Sequence, residues 1–250
     1  DGPEETEHEG MTLRAVSGAR ELYTEDRRSI TEAIEFGAAV LRPLARHAED
    51  HDLVVASVFP YFPVLASTLS TATRETPVVT TWHEVWGRYW MEYLGALAPF
   101  GMLVERFTAK VPQHPIAVSW DTAQRLARIG PSRDSITVVP NGVDVERIQS
   151  VPPADDGFDV LAVGRLIPEK NVDVLLNAFD GMEGREDATL GIVGDGPERN
   201  ALEQQVADLE LSDRVSFLGF LEDDEDVLAQ MRAAEVFAVP SVREGFGITF

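Results

Sequence analysis

Short β-branched and apolar runs alternate with longer helical stretches along most of this 250-residue chain. That alternation restricts the fold to an α/β class built on parallel sheets, since parallel strands need a long crossover between them. In the first half, 52–57 (DLVVAS), 76–80 (TPVVT), 116–119 (IAVS) and 135–139 (SITVV) read as buried strands. Between them, 29–47 and 121–129 carry helical patterns. Pro43 is expected to bend or break the first. Ser119 is suited to cap the second, and Gly130-Pro131 to stop it.

A segment of two prolines, two aspartates and a glycine, 151–157 (VPPADDG), reads as a linker. Beyond it the alternation restarts. Strands are expected at 158–163, 189–193, 215–219 and 236–239, and helices at 172–180, 198–209 and 224–233. The chain is therefore read as two α/β domains, 1–150 and 158–250. Its acidic, turn-like opening and its close at Phe250, inside what reads as a new helix from Ser241, suggest a piece of a longer protein.

Charge and residue usage exclude several classes of function. A formal net charge of −22 disfavours nucleic acid as a partner. The absence of cysteine removes disulfides, thiolate metal sites and a thiol nucleophile. No apolar run is long enough to span a bilayer, and the acidic N-terminus has no signal-peptide pattern, so a cytoplasmic place is expected. Only two of the 21 basic residues, Lys110 and Lys170, are lysines. Abundant carboxylate with so little lysine suggests a protein of a high-salt cytoplasm, where screening makes the charge tolerable.

Three constellations carry chemistry. In 163–171 (VGRLIPEKN) a strand ends at Gly164, Arg165 and Lys170 follow across a proline-containing loop, and a helix begins. A guanidinium fork, an ammonium and a helix N-terminus at a sheet's carboxyl edge all favour an anion such as a diphosphate. The plainer reading is two solvated charges, but Lys170 is one of only two lysines. In 191–197 (GIVGDGP), Gly194 sits in a tight strand-to-helix turn without true dinucleotide-loop spacing. In 240–250 (PSVREGFGITF), the Glu244 carboxylate and the backbone amides of Gly245, Phe246 and Gly247 could hold sugar hydroxyls, or Glu244 could simply open a helix.

Taken in order, VGRLIPEKN, GDGP, FLGF and VPSVREGFGITF resemble the donor domain of family 4 (group 1) glycosyltransferases. TWHE at 81–84 and PNGVD at 140–144 resemble the family more loosely. The resemblance implies the GT-B fold, two Rossmann-like domains facing a cleft, and retaining transfer from a nucleoside-diphosphate sugar without a metal or other cofactor. It implies that Arg165 and Lys170 bind the donor diphosphate and that Glu244 contacts the sugar. The family's second glutamate would fall at position 252, and its N-terminal glycine-rich turn before residue 1. His83 falls where the family places a functional histidine, able to bond a sugar hydroxyl or hold charge as the glycosidic bond breaks. Gly164, Asn141 and Gly194 are candidates for lining the cleft.

Of Trp82, Trp86, Tyr89, Trp90 and Tyr93, four fit the spacing of one helical face, with 89 and 90 as alternatives. They read as core, as an acceptor groove for a glycan or a lipid-linked acceptor, or as a peripheral membrane contact at the inner face. Two rival readings stay open for the whole: a relative of the same fold such as a sugar-nucleotide epimerase or a phosphorylase, and a non-catalytic sugar-nucleotide-binding subunit.

Overall fold

The computed structural model describes residues 5–18, 23–24, 27–28 and 30–241. It forms two compact units, Asp1–Asn141 and Gly142–Phe250. The first begins with β1 (Glu5–His8) paired antiparallel to β2 (Met11–Arg14), and β3 (Tyr23–Thr24) paired to β4 (Arg27–Arg28). The acidic opening is thus partly strand, contrary to expectation. Glu9 and Gly10, both at positive φ (49° and 78°), form a two-residue hairpin turn. Across it Arg14 Nε donates to the Glu5 carboxylate at 3.0 Å and Thr12 Oγ1 to Glu7 at 2.6 Å.

Next come α1 (Ile30–His47), β5 (Val54–Val58), α2 (Phe62–Thr71), β6 (Val78–Trp82), α3 (Trp90–Leu94) and α4 (Ala98–Lys110). The unit continues with β7 (His114–Ala117), α5 (Trp120–Ala127) and β8 (Thr137–Val138). The four strands from β5 pair in parallel in sequence order. The expected break at Pro43 does not occur, since α1 is one helix through it. The lost hydrogen bond is outweighed by tight packing on α2. A Cβ on Gly37 would lie 2.4 Å from Phe62 Cβ, so the two backbones approach as only glycine allows. Val58, Tyr61, Val64, Trp82, Ala117 and Leu126 form the centre of the core. β5 is buried on one face only, with Val55 and Ser57 exposed, so it is not the fully buried strand expected.

The second unit contains α6 (Val145–Ser150), β9 (Val160–Val163), α7 (Val172–Asp180) and β10 (Leu190–Val193). α8 (Arg199–Asp208), β11 (Val215–Gly219), α9 (Asp224–Ala233) and β12 (Val236–Phe237) complete it. Its parallel sheet has the order β11-β10-β9-β12. Asp144 caps α6 by accepting from the Arg147 N–H at 2.9 Å. The segment 151–157 is not a free tether. Val151 is buried, and the Ala154 N–H donates to Ala229 O at 3.0 Å. Arg232 Nη1 donates to the carbonyls of Ile148, Gln149 and Val151. Its prolines and aspartates suit irregular backbone, and that backbone is packed on α9. The expected new helix from Ser241 falls almost wholly outside the described residues, which end at 241.

Candidate functional site

Strand order locates the site in the second unit. The chain moves outward from β9 through β10 to β11, then returns to place β12 on the other side of β9. At such a reversal the loops at the strands' carboxyl ends diverge and leave a crevice. A pocket occupies that place, lined by Gly164, Arg165, Leu166 and Lys170 from the β9–α7 loop and by Pro240 and Ser241 beyond β12.

Both predicted cations therefore stand at one crevice. Arg165 is exposed and Lys170 half-buried. A Cβ on Gly164 would lie 3.6 Å from Lys170 Cε, so the lysine stem lies over the end of β9. Lys170 ends a 3-10 turn that passes directly into α7 through Asn171, which is left-handed at φ 50°. The N-terminus of α7 has no side-chain cap, leaving its partial positive charge for an outside anion. Asn171 Nδ2 instead donates to Pro240 O at 3.2 Å, joining the cationic loop to the segment that leads to Glu244. Sequence reasoning missed this residue; its place beside Lys170 was the only signal.

Gly194 has a different job from Gly164. It is buried at φ 128°, and a Cβ there would lie 1.9 Å from Gly164 O. A Cβ on Gly196 would meet Leu166 O at 2.4 Å. The two loops are stitched together: Gly164 N–H donates to Val193 O at 2.9 Å, Leu166 N–H to Asp195 O at 3.0 Å and Glu198 N–H to Leu166 O at 3.0 Å. The glycines of GIVGDGP thus let one loop buttress the loop that carries Arg165. Glu244, Gly245, Phe246 and Gly247 lie outside the described residues.

In the first unit His83 directly follows β6 and is exposed. Its carbonyl accepts from Thr122 Oγ1 at 3.3 Å, and the Thr122 N–H donates to Ser119 Oγ at 3.1 Å, so the expected N-cap of α5 also anchors the histidine's backbone. The next turn is held by a residue that sequence reasoning missed. Glu105 of α4 is buried and accepts from Trp86 N–H at 2.7 Å, Gly87 N–H at 2.9 Å and Tyr61 Oη at 2.9 Å. Asn141 is half-buried just beyond β8, the last residue of its unit. Among the described residues no three acidic or histidine side chains gather as a metal site.

The aromatic stretch is not one helical face. Trp82 ends β6 and is fully buried, Trp86 precedes a 3-10 turn, and only Trp90 and Tyr93 lie on α3. The rings pack on one another and on Phe59, with Phe59 and Trp86 stacked at 4.5 Å and Trp86 and Trp90 tilted against each other at 4.7 Å. Trp82 and Trp90 are core residues and offer no membrane contact. No helix of the described residues is long and apolar enough to cross a membrane.

Two parallel-sheet α/β units, one with a cationic crevice at its strand reversal, define the fold class of GT-B glycosyltransferases. The structure of the Anabaena protein HepE in complex with UDP-glucose superposes with a TM-score of 0.65 at 21% identity, covering 83% of this chain and 58% of that one. The lipopolysaccharide outer core galactosyltransferase WaaB superposes with a TM-score of 0.60 at 20% identity, covering 88% and 59%.

The family model for Glycosyltransferase Family 4 matches residues 2–147, and that for Glycosyl transferases group 1 matches 144–250; the chain belongs to glycosyltransferase family 4. A 2-deoxystreptamine glucosyltransferase of Streptomyces kanamyceticus is 33% identical over 163 residues, 60% of this chain and 42% of that protein. A GDP-mannose-dependent phosphatidylinositol monomannoside mannosyltransferase of Mycolicibacterium smegmatis is 27% identical over 228 residues, 74% and 56%. The chain spans about half the length of these relatives.

Proposed function

We propose that this chain takes part in retaining, metal-independent transfer of a hexose from a nucleoside-diphosphate sugar to a glycan, lipid-linked or small-molecule acceptor. The observation that carries the proposal is the convergence of Arg165, Lys170 and the uncapped start of α7 on the crevice where the strand order reverses. The leaving group of such a reaction is a diphosphate. Its growing charge needs fixed positive partners, which these three groups supply. Glu244 and the amides of Gly245, Phe246 and Gly247 hold hydroxyls of the transferred sugar, and His83 bonds that sugar or the charge that develops on it. Asn141, Gly164 and Gly194 shape the site. A UDP-glucose complex of one structural neighbour and the GDP-mannose dependence of one relative support a nucleotide-sugar donor. The first unit is the acceptor-side domain and the second the donor domain, and the protein acts in a cytoplasm rich in salt.

The test is titration with UDP and GDP, followed by assay with radiolabelled UDP-glucose and GDP-mannose in the presence and absence of acceptors. Lys170→Ala is expected to weaken binding of the diphosphate by about tenfold or more, the loss of one charge-assisted contact. Unchanged binding in that variant sinks the assignment. Turnover without acceptor would mark an epimerase, and binding without turnover a non-catalytic subunit.

A further inference from the structure

Three of the four tryptophans of this chain are drawn into packing, with Trp82 and Trp90 buried and Trp86 half-buried against other rings. Trp120 is instead 67% exposed. Its place is set by two adjoining strands. β6 and β7 pair in parallel with Trp82 opposite Ala117, and the Val118 N–H extends the ladder by donating to Trp82 O at 3.2 Å. Trp120 opens α5 just beyond the carboxyl end of β7, and His83 directly follows β6; both are exposed. Thr122, two residues on, ties the two strand ends together through its bond to the His83 carbonyl.

The indole is nevertheless held. The Arg133 guanidinium carbon lies over the Trp120 ring, 4.8 Å from its centre. That guanidinium is itself pinned: Arg133 is half-buried, and its Nη1 donates to the carbonyl of the buried Ile136 at 3.1 Å. One face of the ring therefore rests on a fixed cation, and the exposure belongs to the remaining surface. A cation–π contact at an exposed site is weak by itself, so it orients the ring rather than accounting for its exposure. A ring so braced loses little freedom when a ligand stacks on it, which is the condition for preorganised binding.

The exposed side chains nearest Trp120 are polar: Asp121, Gln124 and Arg125 on α5, and Asp134 beside Arg133. Gln124 lies one turn along the same helix face. The anchor of a protein interface stands inside a ring of contacts that excludes water, and no such ring surrounds Trp120 on α5. A flat apolar face set among polar groups suits a ligand divided in the same way. A pyranose is one: a face of C–H bonds, polarised by the ring's oxygens, meets the negative face of an indole, while hydroxyls fill the rim. We propose that Trp120, braced by Arg133, is the platform on which a pyranose ring of the acceptor stacks. The acceptor is then a glycan or glycoside recognised by its sugar ring. The proposal rests on the reading of this unit as the acceptor side of a glycosyl transfer and names the acceptor's class. Trp120 acts in binding and takes no part in the chemical step.

The full chain is titrated with methyl β-D-glucopyranoside and methyl α-D-mannopyranoside, and contact is read by saturation-transfer NMR from aromatic to sugar ring protons. Transfer concentrated on the C–H protons of one sugar face is expected. Trp120→Ala changes an exposed side chain in the first turn of α5, and it is expected to weaken pyranoside binding about tenfold. Its circular dichroism and UDP binding are expected to match the wild type. Arg133→Gln keeps the ring and removes its brace, and a several-fold loss is expected. Absence of pyranoside contact in the wild type, or equal contact in Trp120→Ala, overturns the proposal. So does loss of UDP or uridine binding in Trp120→Ala, which would make the ring a platform for a base. A wild-type dimer that Trp120→Ala converts to monomer in light scattering overturns it as well. Failure of UDP and GDP to bind the wild type would strike the donor assignment, while the pyranoside contact decides the platform either way.

Discussion

The side-chain amide of Asn171 donates to the carbonyl of Pro240 at 3.2 Å across 69 residues of chain, and this bond joins the two loops that border the cationic crevice. Asn171 also occupies the left-handed region at φ 50°, where Asn and Gly are favoured. The two roles can be separated. Asn171→Gly keeps the backbone geometry and removes the bond, so it is expected to fold with near-native stability and to bind a nucleoside diphosphate several-fold more weakly. Asn171→Ala loses both, and a further stability loss of about 1 kcal/mol is expected for the strained backbone. Thermal unfolding read beside isothermal titration of UDP distinguishes the two effects.

Part of this site is legible in the amino-acid sequence. The strand at β9, the helix at α7 and the two cations between them follow from local pattern, because a βα unit is specified within about 20 residues. Strand order is not local. That β12 returns to the far side of β9, which makes the crevice, depends on pairings between segments more than 70 residues apart. Asn171 reads as one more polar loop residue because its partner lies in a distant segment. Glu105 reads as a solvated helix acid for the same reason. Pro43 misleads in the opposite direction: its local penalty is real, but close packing of α1 on α2 overrides it.

Gly194 gives a sharper stability test. With φ at 128° and a Cβ position 1.9 Å from Gly164 O, any side chain must push the two loops apart. Gly194→Ala is expected to destabilise the unit by about 2–4 kcal/mol, combining backbone strain with overpacking. Gly181→Ala is the control. Its φ is −77°, and a methyl group added there would have its nearest neighbours at 3.7 and 3.8 Å, so a near-neutral effect is expected. Urea midpoints of the two variants test the difference.

Asp159 makes stability depend on acid pH. Its carboxylate accepts from the Thr189 N–H at 2.7 Å and from Thr189 Oγ1 at 2.8 Å, tying the chain just before β9 to the chain just before β10. The Thr189 N–H chiefly, and then its hydroxyl, hold the Asp159 pKa below the ordinary 3.8. A folded-state value below the unfolded one means the contribution is fully present above the ordinary value. It is lost as pH falls through the depressed folded value. Wild-type stability is therefore expected to fall more steeply than that of Asp159→Asn as pH drops below about 3.8. Parallel slopes in urea titrations across that range would refute the assignment.

The last prediction concerns the turn after His83. Glu105 gathers two half-buried backbone N–H groups and the buried Tyr61 hydroxyl inside the first unit. Removing the carboxylate deletes three hydrogen bonds to a charged acceptor at once, so Glu105→Ala is expected to cost about 3–5 kcal/mol. Glu105→Gln keeps one carbonyl oxygen but turns an NH2 group toward a donor, so a smaller loss of about 1–3 kcal/mol is expected. The donors at Trp86 and Gly87 lie three and four residues beyond His83, whose own carbonyl is held separately by Thr122. Release of the Glu105 end should therefore loosen the 84–87 turn while the end at His83 stays anchored. Amide hydrogen exchange is expected to accelerate at Trp86 and Gly87 in Glu105→Gln and to stay slow along α5, a pattern that general unfolding of the unit would not produce.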